Sequence, residues 1–118
     1  MKSRQTAALV FAGALAGIPG MATAQQEVFI SAAPDVVPYV ARTPRNCRAI
    51  GDSGFRCTLP PRYSPEFMFH NRATRRVCTI FVENRGTSAQ PRYVIVYESL
   101  GHKCSYSWRN PTEVQVRW

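Results

Sequence analysis

Apolar residues at every second position predict short strands in the last part of the chain. Because successive side chains on a strand point to opposite faces, this spacing is typical of antiparallel strands with one buried face. Asn110 and Pro111 supply turn chemistry between two such runs. The residues expected to face the core are Cys104, Tyr106 and Trp108 in the first run and Val114, Val116 and Trp118 in the second.

Residues 77–108 carry three apolar runs, VCTIFVEN, RYVIVYES and CSYSW, separated by turn residues. We interpret this region as a β-meander in which Val94, Ile95 and Val96 belong to a central strand covered on both faces. No segment sustains the apolar spacing of an amphipathic helix over two turns. The pattern predicts an all-β fold, either a small antiparallel β-sandwich or a barrel.

Residues 46–59, NCRAIGDSGFRCTL, predict a tight β-hairpin. A loop of Gly51, Asp52 and Ser53 places Cys47 opposite Cys57, with Gly54 in the left-handed position and Phe55 on the buried face. The even number of cysteines, four, indicates disulfides rather than zinc ligands, because none of them form a C-x₂₋₄-C pair. We therefore predict Cys47–Cys57 in the hairpin and Cys78–Cys104 between the first and third runs of the meander, with no metal site or cofactor.

The first 24 residues have the features of a signal peptide. Lys2 and Arg4 precede an apolar run, and Ala22-Thr23-Ala24 is an A-x-A-like cleavage site. The run is shorter than the roughly 20 apolar residues of a membrane span. We expect a mature chain that begins at Gln25 and is exported to the periplasm or the medium of a bacterium. Residues 25–45 contain three prolines and predict an extended arm or edge strand, and residues 46–118 predict the disulfide-stapled domain.

The mature chain is strongly basic. Removing Lys2 and Arg4 leaves 13 basic against seven acidic residues, a charge near +6, and Lys103 is the one lysine among them. Arginine binds phosphate and carboxylate through paired hydrogen bonds, so this bias favours an anionic partner. An arginine-rich genome composition with an ordinary solvated surface is the alternative. The candidate anion-binding residues form two groups, Arg42, Arg45 and Arg48, and Arg72, Arg75 and Arg76.

The stretch TIFVENRGTSAQPRYVIVYES, from Thr79 to Ser99, resembles a strand–turn–strand of bacterial immunoglobulin-like domains related to cell adhesion. The shared pattern is an alternating strand that ends in Asn, a Gly-Thr/Ser turn, an Ala-x-Pro and a Val-rich strand. It covers about a fifth of the chain. The resemblance implies an immunoglobulin-like β-sandwich that binds or scaffolds and does not catalyse a reaction.

Few residues are candidates for catalysis. The order His70, Glu83, Arg92 and His102 resembles that of small guanyl-specific microbial ribonucleases, in which two acid–base groups and an arginine would act on RNA. The spacings are compressed and the helix expected before the catalytic sheet has no signal. With all cysteines paired, no thiolate nucleophile is expected, and we predict that the chain is not an enzyme.

The function expected from the sequence is that of a non-enzymatic binding or accessory domain. Its arginines would recognise an anionic lipid, an acidic polysaccharide or an acidic protein of the envelope. One alternative is an inhibitor of a secreted hydrolase such as lysozyme, although a basic lysozyme would be repelled by a basic partner. Another is a structural subunit of an envelope assembly whose proline-rich arm adds a strand to a neighbour.

Overall fold

Short β-prone runs separated by glycine, proline and asparagine form short strands throughout the chain. A computed structural model describes residues 26–96 and 104–118. Two 3₁₀ turns in these residues span Val40–Arg42 and Gly51–Ser53. The strands are β1 (Val28–Ala32), β2 (Val36–Pro38), β3 (Cys47–Ala49), β4 (Gly54–Cys57), β5 (Glu66–Asn71), β6 (Val77–Asn84), β7 (Tyr93–Ile95), β8 (Ser105–Asn110) and β9 (Glu113–Arg117).

These strands form two sheets. The first has the order β3-β4-β1-β9-β8 and the second has the order β2-β5-β6-β7. Neighbouring strands are antiparallel except β1 and β9, which are parallel. The prediction of an all-β fold with two disulfides is confirmed, and the two sheets make a small β-sandwich.

The core lies between the sheets and is built by alternate residues of each strand. Phe55 of β4 in the first sheet contacts Phe67 and Phe69 of β5 in the second, with ring centroids 5.4 and 5.7 Å apart. All three rings are fully buried. Burying one such side chain stabilises the fold by about 2–3 kcal/mol, so this aromatic contact is a main connection between the sheets. Val114 and Val116 of β9 also face the core, as the alternation predicts.

The hairpin of β3 and β4 has the predicted register, with Cys47 opposite Cys57 and Ala49 opposite Phe55. The Cys47–Cys57 disulfide joins these neighbouring strands across a Cα–Cα distance of 4.0 Å. The left-handed position in the loop is occupied by Gly51, with φ of 51°, and not by Gly54 as the sequence suggested. Gly54, with φ of 133°, is instead the first residue of β4.

The β-meander prediction is wrong in its third strand. β6 pairs with β7, but β8 pairs with β9 in the other sheet. The two-residue connection between β8 and β9 makes them a local hairpin, and β9 is fixed in the first sheet by β1. The predicted Cys78–Cys104 disulfide is confirmed, with a Cα–Cα distance of 5.6 Å, but it connects the two sheets instead of two strands of one sheet.

Two predicted burial patterns are also corrected. Val94, Ile95 and Val96 are not in a central strand, because β7 is the edge of the second sheet in the described part of the chain, and Val96 is exposed. Tyr106 is exposed rather than buried, since β8 is likewise an edge strand of the first sheet. Edge strands have a neighbour on one side only, which leaves their side chains less covered.

The segment predicted as an arm or edge strand contributes to both sheets. β2, which contains Pro38, is an edge strand of the second sheet. β1 lies between β4 and β9 in the first sheet, and its residues Val28 and Ile30 are fully buried. Residues 26–38 are therefore an integral part of the sandwich. Among the described residues, no helix has the length and apolar character needed to cross a membrane.

The two disulfides should contribute unequally to stability. The chain-entropy account assigns about 2–3 kcal/mol to a loop the size of Cys47–Cys57 and about 3–4 kcal/mol to one the size of Cys78–Cys104. We expect the Cys78→Ala/Cys104→Ala variant to lose more unfolding free energy in urea than Cys47→Ala/Cys57→Ala. An equal or smaller loss in the inter-sheet variant would contradict this account.

Gly54 should be far less replaceable than Gly51. A Cβ at Gly54 would overlap the carbonyl oxygen of Ile30 on the neighbouring strand β1, and its φ is one that L-residues rarely adopt. At Gly51 a Cβ would meet no atom within 4 Å. We expect Gly54→Ala to lower the free energy of unfolding by about 3 kcal/mol, and Gly51→Ala by about 1 kcal/mol. Urea unfolding of both variants measures the difference, and equal losses would show that the close approach to β1 is unimportant.

Candidate functional site

A buried asparagine at the end of β6 holds two surface loops in place. The side chain of Asn84 has a residue exposure of 1%, and all of its printed bonds go to backbone groups. Its Oδ1 accepts the N–H groups of Gly86 and Arg92 at 2.8 and 3.0 Å. Its Nδ2 donates to the carbonyls of Leu59 and Thr87 at 3.1 and 3.3 Å. One side chain thus fixes residues 85–92 and the start of the loop from Leu59 to Pro65.

The loop between β6 and β7 is closed by further hydrogen bonds. The N–H of Arg85 donates to the carbonyl of Arg92 at 2.8 Å, which places these two arginines side by side. The N–H of Thr87 donates to the Gln90 carbonyl, and the N–H of Gln90 donates to Oγ1 of Thr87. A Cβ at Gly86 would overlap the Gln90 carbonyl oxygen, so the tight turn requires glycine there.

A second segment brings a third arginine to the same place. Pro61 forms an isolated parallel bridge with Asn84, and the N–H of Arg62 donates to the Asn84 carbonyl at 3.3 Å. Arg62 has φ of 70°, in the left-handed region. A residue with a Cβ adopts this conformation at a cost of roughly 1 kcal/mol or more. Such backbone conformations are often found at binding sites.

Together these segments line an open groove of about 410 Å³, which we call the arginine groove. It contains three arginines and one glutamate, so its formal charge is positive. Nε of Arg85 donates to Glu83 at 3.1 Å, which orients this guanidinium and offsets part of its charge. Within residues 26–96 and 104–118, neither Arg62 nor Arg92 forms an ion pair. The lining residues are Pro61, Arg62, Glu83, Asn84, Arg85, Gly86 and Arg92.

The first group of candidate arginines is partly engaged inside the protein. Arg48 forms a bidentate ion pair with Glu27 at 2.7 and 3.2 Å. This hydrogen bonding lowers the pKa of the Glu27 carboxyl below its ordinary value, which keeps the carboxylate charged beside Arg48. The guanidinium of Arg45 lies 4.7 Å from the ring centroid of Tyr63, and Arg42 ends a 3₁₀ turn.

The second group lies on the hairpin that connects β5 and β6. Arg72 donates to the carbonyl of Pro34 and forms an ion pair with Asp52 at 3.3 Å. Arg75 and Arg76 are exposed, and Arg75 has φ of 65°. Asn71 shapes this hairpin, because its Oδ1 accepts the N–H groups of residues 73 and 74.

The structure does not bring the two candidate groups onto one surface. The second group is at the start of β6, whereas the arginine groove is at its end, about 20 Å along the strand. Arg45 lies at the groove end, because its backbone carbonyl accepts the hydroxyl of Tyr63, the residue next to Arg62. The groove therefore gathers arginines that the spacing analysis did not select, with Arg45 nearby.

Part of the groove had a signal in the sequence. A hairpin that joins Asn84 to Tyr93 in register places Arg85 opposite Arg92, and this register follows from the alternation of the two strands. The position of Arg62 had no such signal, because it depends on a left-handed backbone conformation and a long-range bridge to Asn84.

The residues that resemble a ribonuclease set are not gathered. His70 packs edge-on against Tyr39 with ring centroids 4.7 Å apart, and its Nε2 is buried without a hydrogen-bond partner in the described part of the chain. His70 is opposite Val77 at the start of β6, about 20 Å from Glu83 near its end. His102 lies outside the described residues. Residues 26–96 and 104–118 also hold no cluster of three or more His, Cys, Asp or Glu suited to a metal ion.

Removal of the Asn84 side chain should destabilise the protein and loosen the groove. Asn84→Ala leaves two N–H groups and two carbonyls without their partner, and we expect a loss of about 3 kcal/mol in unfolding free energy. Asn110→Ala is the matched control, because Asn110 bonds only within an exposed turn, to Thr112. We expect that control to lose about 1 kcal/mol or less. Urea unfolding compares the two, and amide hydrogen exchange at Gly86 and Arg92 should accelerate only in Asn84→Ala.

Comparison with known proteins places no relative beside this arrangement: no family model matches the chain, and neither a curated protein nor a solved structure is similar to it.

Proposed function

We propose that this chain is an exported, non-enzymatic binding domain that holds anionic groups of an envelope component or an acidic protein in the arginine groove. The observation that carries the proposal is the convergence of Arg62, Arg85 and Arg92 on one open groove. Guanidinium groups bind phosphate and carboxylate with charge-assisted, paired hydrogen bonds. Three of them around one groove favour an anionic ligand.

The groove is also ordered before any ligand binds. Asn84 fixes the backbone of Arg92, the hairpin fixes Arg85 beside it, and the bridge from Pro61 fixes Arg62. Holding binding groups in place beforehand reduces the entropic cost of binding. Glu83 adds an acceptor at the edge of the groove, which suits a ligand that has hydroxyl groups beside its anionic groups.

Export is supported by the disulfides. Two disulfides in so small a domain indicate an oxidising compartment, such as the bacterial periplasm or the exterior. The signal-peptide features of residues 1–24 agree with this location. The resemblance of Thr79 to Ser99 to immunoglobulin-like adhesion domains supports a binding role, since the arginine-bearing loop lies within that stretch.

The alternative roles have less support. A structural subunit that donates its proline-rich arm is disfavoured, because β1 is paired on both sides within its own sheet and is not available to a neighbour. An inhibitor of lysozyme would have to bind a basic enzyme with a basic surface, which costs electrostatic energy.

The groove is tested by paired arginine substitutions. We expect Arg62→Gln/Arg92→Gln to weaken binding to acidic polysaccharide or anionic vesicles at least about tenfold at low salt, because each charge-assisted hydrogen bond contributes roughly 1.5–3 kcal/mol. The matched control is Arg109→Gln/Arg117→Gln, which removes the same charge from exposed positions on β8 and β9. Fluorescence or calorimetric titration gives the affinities.

Two results would overturn the proposal. If the groove and control variants lose affinity equally, binding follows net charge and has no site in the groove. If the unmodified protein binds none of these probes at low salt, or binds them unchanged at about 0.5 M salt, where the Debye length is only a few ångströms, a charge-driven role is wrong.

A further inference from the structure

The outer face of the second sheet is unusually apolar for a surface. In β6 the inward residues Ile80 and Val82 are fully buried, and the outward residues Val77 and Phe81 are apolar as well. An antiparallel strand with one wet face normally alternates apolar and polar residues, whereas a strand covered on both faces does not. β6 therefore has the composition of a strand that is covered on both sides.

The same character extends across the sheet. Strand pairing aligns Val37 and Val77 on either side of His70, and the N–H of Val96 donates to the carbonyl of Phe81. The first sheet packs against the opposite face, through Phe67 and Phe69. We call this outer surface the apolar face. Its members are half-buried or exposed, and they are Val37, Met68, Val77, Phe81, Val94 and Val96.

The outer face of the first sheet is different. Its outward residues include Arg48, Arg56 and Gln115, and Phe29 is capped by the guanidinium of Arg56 at 4.2 Å from the ring centroid. That face has the polar surface expected of a solvated sheet. The contrast shows that the apolar face is a property of one sheet and does not reflect the average composition of the chain.

Charges are distributed unevenly at the two ends of the apolar face. The hairpin end carries Arg75 and Arg76, and the opposite end carries Glu66 and Glu83. The two ends are about 15–20 Å apart along the strands. Within the described residues, Arg75, Arg76 and Glu66 form no ion pair, while Glu83 pairs with Arg85.

We propose that the apolar face binds the same face of a second copy of this chain, with the strands of the two copies running in opposite directions. In a symmetric stack of two sheets, a two-fold axis parallel to the strands would bring arginines against arginines. An axis perpendicular to the strands brings Arg75 and Arg76 of each copy to the partner's Glu66 and Glu83. Charge complementarity selects the second arrangement and favours a second copy as the occupant.

The size of the face sets the expected strength. Four strands about 4.8 Å apart and roughly 20 Å long give a footprint at the lower end of specific protein interfaces. Net positive charge on both copies also opposes association. We therefore expect a reversible dimer with a dissociation constant in the micromolar range, not an obligate one.

The first test is the oligomeric state of the oxidised, exported protein. Sedimentation equilibrium over a range of concentrations should show a monomer–dimer equilibrium, and Phe81→Glu should raise the dissociation constant at least tenfold. Gln115→Glu is the control, because it places the same charge on the outer face of the first sheet and should leave the equilibrium unchanged. Urea unfolding shows whether each variant is folded, and a Met68→Lys variant replaces Phe81→Glu if the latter does not fold.

The second test is a charge exchange that detects the direction of stacking. Glu66→Arg and Arg76→Glu should each weaken the dimer about tenfold, and the double variant should recover most of the loss. Because the two positions are at opposite ends of one chain, recovery requires contact between chains. A protein that stays monomeric at all concentrations, or single losses that the double variant does not recover, would overturn the proposal. Dimerisation that Phe81→Glu and Gln115→Glu weaken equally would overturn it as well.

Discussion

The contact between Phe55 of the first sheet and the rings of Phe67 and Phe69 in the second is the interaction on which this small sandwich depends. The two sheets share a thin core, and these rings occupy it where β4 faces β5. Gly54 has to precede Phe55 without a side chain, because β4 approaches β1 closely at that point. The Cys78–Cys104 disulfide then ties the sheets covalently from another position along β6.

Local features of the fold were predictable from the sequence, and long-range ones were not. The register of the Cys47–Cys57 hairpin follows from a short loop, and the burial of Val114 and Val116 follows from alternation. Alternation tells which face of a strand is buried but not which sheet the strand joins. β8 therefore carries the predicted cysteine connection yet belongs to the sheet of its hairpin partner β9, because the short turn determines the pairing.

The candidate site was less predictable for the same reason. Arginines grouped by spacing along the chain were separated by the fold, and two of them, Arg48 and Arg72, meet acidic residues that are distant in sequence, Glu27 and Asp52. The arginine groove is instead assembled by Asn84, whose side chain reaches two loops at once. Only the proximity of Arg85 and Arg92 was implied by a hairpin register. A buried polar side chain that organises several backbone segments has no periodic signal.

The arginine groove and the apolar face share β6, and this connects the two proposals. Glu83 points outward near the end of β6, where it orients Arg85 and also belongs to the acidic end of the apolar face. In the proposed dimer, the partner's Arg75 and Arg76 approach Glu83 and compete with Arg85 for its carboxylate. Satisfying Glu83 from the partner chain leaves Arg85 available to a ligand and adds positive charge beside the groove. Dimer formation and anion binding would then favour each other, because each strengthens the charge arrangement that the other uses.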